Sequence, residues 1–220
     1  MTQKNNSISV FVRSILSGKT LGRTLFNQEF ARHTDYIVGA VLDLAGGASP
    51  SYRKLLPTSI QLTSTDYHAA EGVVAVDINM TLPFLDAQFD TVLFCNALYI
   101  AEDPTLLMKE IHRVLKIGGH LVLSNPFIGN EMPEPHDYQR FSAEGLMRLV
   151  SGAQFIDICI TRIGERFSAA ANLLHDAWFF SIVRLPIYGL ACLLDRLIPI
   201  RVRELHPAPL VYFLTARRDV

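Results

Sequence analysis

The chain has 220 residues, half of them hydrophobic and 19% charged, with 20 Lys and Arg against 21 Asp and Glu. A formal net charge of −1 excludes a global basic field of the kind that holds nucleic acid. Three scattered cysteines, Cys95, Cys159 and Cys192, give neither a disulfide framework nor a paired metal motif, and their apolar neighbours predict buried thiols in a reducing compartment.

Residues 1–36 read as a helical preface. Val10, Phe11, Ile15 and Leu16 recur at helical spacing, and Phe26–Arg32 suits a second short helix after the interruption at Gly18, Thr20 and Gly22. The polar N-terminus Met1–Ser7 lacks a signal-peptide core, so a cytoplasmic chain is expected. Residues 37–220 read as one further domain.

From Ile37 the pattern changes to strands alternating with helices. Ile37–Leu44 is a near-continuous apolar run, the mark of a strand buried on both faces. Ser49-Pro50 predicts the start of a helix. Ser59–Thr65, Gly72–Val76 and Phe89–Asn96 are the next three strands. Asp103, with Pro104 behind it, predicts a capped helix to Leu115 that Gly118-Gly119 closes. His120–Ser124 is a fifth strand, and Ser142 caps a helix to Val150. Phe155–Ile163 and Leu210–Ala216 are the last two strands. Such alternation predicts an α/β fold around a doubly wound, largely parallel sheet.

Residues 168–200 replace the usual crossover before the last strand. They are rich in Leu, Ile, Phe and Trp, including Trp178 and Phe179. The longest charge-free run, Leu185–Leu194, has ten residues, half of the roughly 20 that a spanning helix needs. Two helices joined near Leu185-Pro186 are expected, serving as a lid, a homodimer face or a peripheral contact with the inner face of a membrane. The cluster Arg201, Arg203, Arg217 and Arg218 reads as solvated surface charge.

The chemistry gathers at strand ends. Asp43-Leu44-Ala45-Gly46-Gly47 follows the first strand, where an open α/β sheet binds ligands and small residues let backbone approach them. A helix start behind this turn would offer N–H groups to a carboxylate. Asp66 ends the second strand 19 positions beyond Gly47, the spacing of a carboxylate that takes ribose hydroxyls. Asp77 and Ile78 follow the third strand, placed to take an exocyclic amine and to pack on a ring. The seven histidines show no metal-ligand spacing.

Together these segments resemble the class I S-adenosylmethionine-dependent methyltransferases of the type 11 kind, over about Val38 to Phe155. The phrases that carry the likeness are Asp43–Ser49, Leu82-Pro83-Phe84 with Phe89-Asp90, and Glu110-Ile111-His112-Arg113-Val114-Leu115-Lys116-Ile117-Gly118-Gly119. The last of these reads as structural. Ala45 and Ser49 stand where the family has glycines, and Ile117 where it has proline. The resemblance implies a Rossmann-like seven-stranded sheet with an antiparallel last strand, and S-adenosylmethionine as cofactor. Asp43, Ala45, Gly46, Gly47 and Asn96 would then serve its methionine end, Asp66 its ribose, and Asp77 and Ile78 its adenine. Tyr99-Ile100 replaces the family's commonest Glu-His pair, so no base carries over there.

Pro135-His136-Asp137-Tyr138-Gln139-Arg140-Phe141-Ser142 looks like a segment of bacterial methyltransferases associated with cell-surface glycan and glycolipid synthesis. In it, His136 suits a general base for an acceptor hydroxyl, Asp137 its orienter, and Arg140 a clamp for an anionic acceptor. The reading is O-methylation of a small-molecule, glycan or glycolipid acceptor without a metal. The alternative is a non-catalytic methyltransferase-like module that binds a partner protein or a membrane.

Overall fold

The computed structural model describes residues 7–177 and 180–219, so Trp178 and Phe179 lie outside the described residues. In chain order the helices are α1 Ser7–Leu16, α2 Leu21–Phe30, α3 Pro104–Val114, α4 Ala143–Gly152, α5 Arg166–Leu173, α6 Ser181–Leu197 and α7 Ile200–Leu205. The strands are β1 Ala40–Asp43, β2 Gln61–Asp66, β3 Val73–Ala75, β4 Phe89–Cys95, β5 Leu115–Pro126, β6 Phe155–Ile163 and β7 Val211–Arg218. They form one mixed seven-stranded sheet in the order β3-β2-β1-β4-β5-β7-β6, with antiparallel pairing in it. The pairs β1–β2, β2–β3, β1–β4 and β4–β5 are parallel. The strand order reverses between β1 and β4, which makes the carboxyl ends of these strands the place for a ligand.

The chain divides into two compact units. The larger comprises 32–126, 131–161 and 212–220 and contains the bulk of the sheet. Its core is the apolar middle of the strands: Val41, Leu42, Val92, Leu93, Phe94, Leu121, Val122 and Leu123 are fully buried. Burial on both faces explains why these runs lack a period-two pattern. Helix α3 forms where Asp103 accepts hydrogen bonds from the Thr105 and Leu106 N–H groups, with Pro104 at the first helical position. It buries Leu107, Met108, Ile111 and Val114. Helix α4 starts at Ser142, whose hydroxyl takes the Gly145 N–H.

The Glu110–Gly119 phrase is scaffold. Arg113 donates to the Leu82 and Phe84 carbonyls and pairs with Glu110 and Asp86, while Glu110 accepts the Leu82 N–H. One guanidinium thus fixes the loop that enters β4. The two glycines do not close α3. That helix ends at Val114 and passes directly into β5 at an extended Leu115. Partners jump from Phe89–Leu115 to Thr91–His120, so β5 carries extra residues here. Gly118 takes φ +76°, and a Cβ on Gly119 would stand 2.8 Å from the Lys116 carbonyl oxygen. Both glycines serve the irregularity in the strand.

The smaller unit comprises 1–31, 127–130 and 162–211. Its described core joins Ile15, Leu21, Ala171, Tyr188 and Ala191, with Phe11, Leu25, Leu185, Ile187 and Cys192 packed against it. Two buried acids organise the start of α5. Asp195 accepts the Phe167 and Ser168 N–H groups, and Glu165 makes a reciprocal capping box with Ser168. The expected break at Leu185-Pro186 does not occur. Pro186 is the sixth residue of a continuous α6, exposed, and its absent N–H removes a single helical bond near the start. Asn172 accepts the Gly22 N–H, tying α5 to α2.

Two further expectations need correction. Cys95 is buried, but Cys159 is exposed on β6, where alternate residues face outward. Of the cluster read as solvated charge, Arg217 pairs with Asp157, and Arg218 donates to the Arg113 and Leu115 carbonyls.

Candidate active site

The site begins where β1 ends. Ala45 takes φ +59° and Gly47 φ +70°, so the chain turns sharply through left-handed backbone that costs an alanine about 1 kcal/mol. Thr65 on β2 holds the turn: its hydroxyl accepts the Ala45 N–H and donates to the Asp43 carbonyl, and its own carbonyl takes the Gly47 N–H. A Cβ on Gly47 would stand 2.8 Å from the Asp66 carboxylate, and one on Gly46 would stand 2.3 Å from that of Asp43. Only glycine fits either place.

The helix expected from Ser49-Pro50 is absent. The connection to β2 contains only a 3-10 turn, Arg53–Leu55. Leu56 is extended at ψ 141°, as the residue before Pro57 prefers, which stops helical growth. The turn therefore offers close backbone, not the N-terminus of an α-helix.

Ala45, Asp66, Asp77, Ile78 and His136 line one cavity of about 580 Å³. Four of these five come from the ends of β1, β2 and β3, and His136 from the loop after β5. The cavity is completed by Pro135 and by residues the sequence reading did not single out, among them Tyr67, His68, Asn79, Glu102 and Glu134. The Asp66 carboxylate accepts the Tyr67 N–H at 2.7 Å and that of Asp77 accepts the Asn79 N–H at 2.9 Å, so each is set by a local turn. The Asn79 side chain in turn accepts the Glu102 N–H.

Asp43 is not on the cavity wall. It is fully buried. One oxygen accepts the Tyr52 hydroxyl at 2.7 Å, and the other is buried with no hydrogen-bond partner. Burial pushes its carboxyl up to about 6, against the opposing pull of the Tyr52 hydrogen bond and Arg53. Burial also raises the neighbouring Tyr52 and Cys95 well above their ordinary values. Tyr52 carried no periodic signal in the sequence; its part emerges only from the turn that returns it to β1.

Asn96 takes φ +55° just past β4, its N–H held by the Ser124 carbonyl, and is not among the cavity residues. The loop 131–140 is docked by two bonds, Tyr138 N–H to the Tyr99 carbonyl and the Gln139 amide to the Ala101 carbonyl. Asp137 accepts the Met132 N–H and both terminal nitrogens of Arg140, an ion pair that holds its carboxyl below the usual range. Arg140 lies 5.2 Å over the Tyr99 ring. This pairing commits Asp137 and Arg140 to each other and to the loop, in place of the expected roles of orienter and anion clamp. His136 is exposed at the cavity and stacks on Tyr138 at 5.0 Å.

Residues 42–123 match the family model of the Methyltransferase domain. That match spans 82 of the 220 residues, from β1 to β5. Among solved structures, an S-adenosylmethionine-dependent methyltransferase from Archaeoglobus fulgidus is 17% identical, covers 89% of this chain and 94% of its own, and gives a TM-score of 0.61. The 4+2 cyclase SpnF is 21% identical over 88% of this chain and 83% of its own, with a TM-score of 0.56. Phosphoethanolamine N-methyltransferase 2 of Haemonchus contortus is 14% identical over 90% of this chain and 58% of its own, at 0.53. At these identities the likeness is one of fold, and it spans methyl transfer and cyclisation alike. No curated protein matches the sequence.

Proposed function

We propose that the protein transfers a methyl group from S-adenosylmethionine to a hydroxyl of a small-molecule, glycan or glycolipid acceptor. The observation that carries this is the convergence of Ala45, Asp66, Asp77, Ile78 and His136 on one cavity at the carboxyl ends of β1–β3. S-adenosylmethionine is the cofactor, and the residues present fit it. Gly46 and Gly47 let the turn close against the Asp43 and Asp66 carboxylates, where a Cβ would collide, and Ala45 of the same turn stands on the cavity wall. Asp66 would accept the ribose hydroxyls, Asp77 an adenine N–H, and Ile78 would pack on the base.

The sulfonium supplies an already activated methyl group. The chain's task is therefore to align the acceptor, to which proximity and orientation contribute most. His136, exposed at the cavity, would take the proton that the acceptor hydroxyl releases. Asp137 and Arg140 act one step back, as an ion pair that shapes the loop carrying His136.

Calorimetric titration tests the reading. S-adenosylmethionine binds the unmodified chain, and Asp66→Ala weakens it at least tenfold. Unchanged affinity in that variant counts against the cavity as the cofactor site. A chain that binds no cofactor at all would return the assignment to a non-catalytic module.

A further inference from the structure

The smaller unit carries a second apolar face that its own core does not use. Helix α6 buries Tyr188, Ala191 and Asp195 on one side. On another side, Ile182, Pro186, Leu190, Leu193 and Leu197 follow at steps of four, four, three and four, the spacing of one continuous helical stripe. Ile182 and Leu197 are 72% and 70% exposed, and Leu190 and Leu193 more than half. Helix α7 adds Ile200 at 67%. Exposed apolar side chains in a contiguous row mark a surface that meets something.

Charge says what it meets. Among its described residues this unit holds nine Lys and Arg against five Asp and Glu, although the chain as a whole is slightly acidic. Three of the five acids, Glu29, Glu165 and Asp195, are buried, leaving Asp176 and Glu204 at the surface. Arg196 and Arg201 are exposed beside Leu197 and Ile200. A cavity of about 380 Å³ opens among Ile8 and Phe11 of α1, Leu25 of α2 and Leu193 of α6, with Arg196 in its lining. An apolar stripe edged by guanidinium groups matches the two layers of a bilayer surface, acyl chains below and anionic headgroups at the rim. At 17 residues with Arg184 and Pro186 inside it, α6 is too short and too interrupted to cross, and among the described residues no helix is long and apolar enough to do so.

We propose that the stripe of α6, continued by Ile200 of α7, lies in the interface of an anionic phospholipid bilayer and holds the enzyme at that surface. The inference is independent of which acceptor is methylated, and its test involves no cofactor.

The full chain would be floated with phosphatidylcholine vesicles containing about a third phosphatidylserine, and with pure phosphatidylcholine vesicles. It should partition onto the first at least tenfold more than onto the second, and about 0.5 M salt should release it. Leu193→Glu with Leu197→Glu, and separately Arg196→Glu with Arg201→Glu, should each lower partitioning at least tenfold. Both would keep the circular dichroism and cofactor affinity of the parent chain. Absence of flotation, equal flotation on neutral vesicles, or full flotation of both double variants would overturn the proposal. So would self-association by light scattering that the leucine pair abolishes while no vesicle is bound; that result would give the stripe to a second copy. Cofactor calorimetry on the same samples reports on the active site separately.

Discussion

Asp43 and Asp90 stand on adjacent strands of one sheet and are treated in opposite ways. Asp90, at the amino end of β4, accepts the Ala40 N–H and the Lys116 ammonium, and the lysine holds its carboxyl below the usual range. Asp43, at the carboxyl end of β1, is driven into the interior with one oxygen unanswered and its carboxyl raised to about 6. The first is fastened to the scaffold. The second has only the Tyr52 hydroxyl as a hydrogen-bond partner. The sheet thus has a finished end and an unfinished end, and the unfinished end is where the cavity opens.

The largest test of this contrast is a pH titration of stability without cofactor. A folded pKa raised from 3.8 to about 6 stabilises below 3.8 and loses that stabilisation as pH rises through 6. The free energy of unfolding should therefore fall by roughly 3 kcal/mol between pH 3 and 7 from this group alone. Asp43→Asn should flatten that slope in urea titrations while weakening cofactor binding. A slope unchanged in the variant would place the titration elsewhere.

Next in size is Arg113→Ala at the finished end. It unfastens the 82–86 loop and should cost about 2 kcal/mol, with cofactor affinity moved little. Removing the α4 cap by Ser142→Ala should cost about 1 kcal/mol in the same assay. The smallest effect belongs to Asp90→Asn, and its sign is reversed. A depressed carboxyl stabilises above its unfolded pKa and loses this as pH falls through the folded value, so the variant should differ from the parent at neutral pH and converge with it in acid.

Much of this was legible from the residues. Continuous apolar runs mark β1, β4 and β5 because both faces of each strand are covered. Phe155–Ile163 is a strand to the residue, and Asp103 and Ser142 cap where they should. The misplaced elements share a cause: a local signal was outweighed by its neighbours. Ser49-Pro50 resembles a helix start, yet Pro57 lies too near for a helix to grow. Gly118-Gly119 resembles a helix stop, yet the strand that contains it needed slack to shift register. At the site, position at the strand ends singled out Ala45, Asp66, Asp77 and Ile78, and the four line one cavity. Neither could show that Asp43 lies beneath the cavity, or that Asp137 belongs to Arg140, because carboxylate partners depend on which chains cross.

Thr65 leaves one consequence to be drawn. A single hydroxyl links the turn after β1 to the strand that presents Asp66, so the gap between the two halves of the cleft is set when the sheet assembles. A ligand reaching across that gap meets a ruler already cut to length, and the entropy of arranging it is spent during folding and not at each encounter.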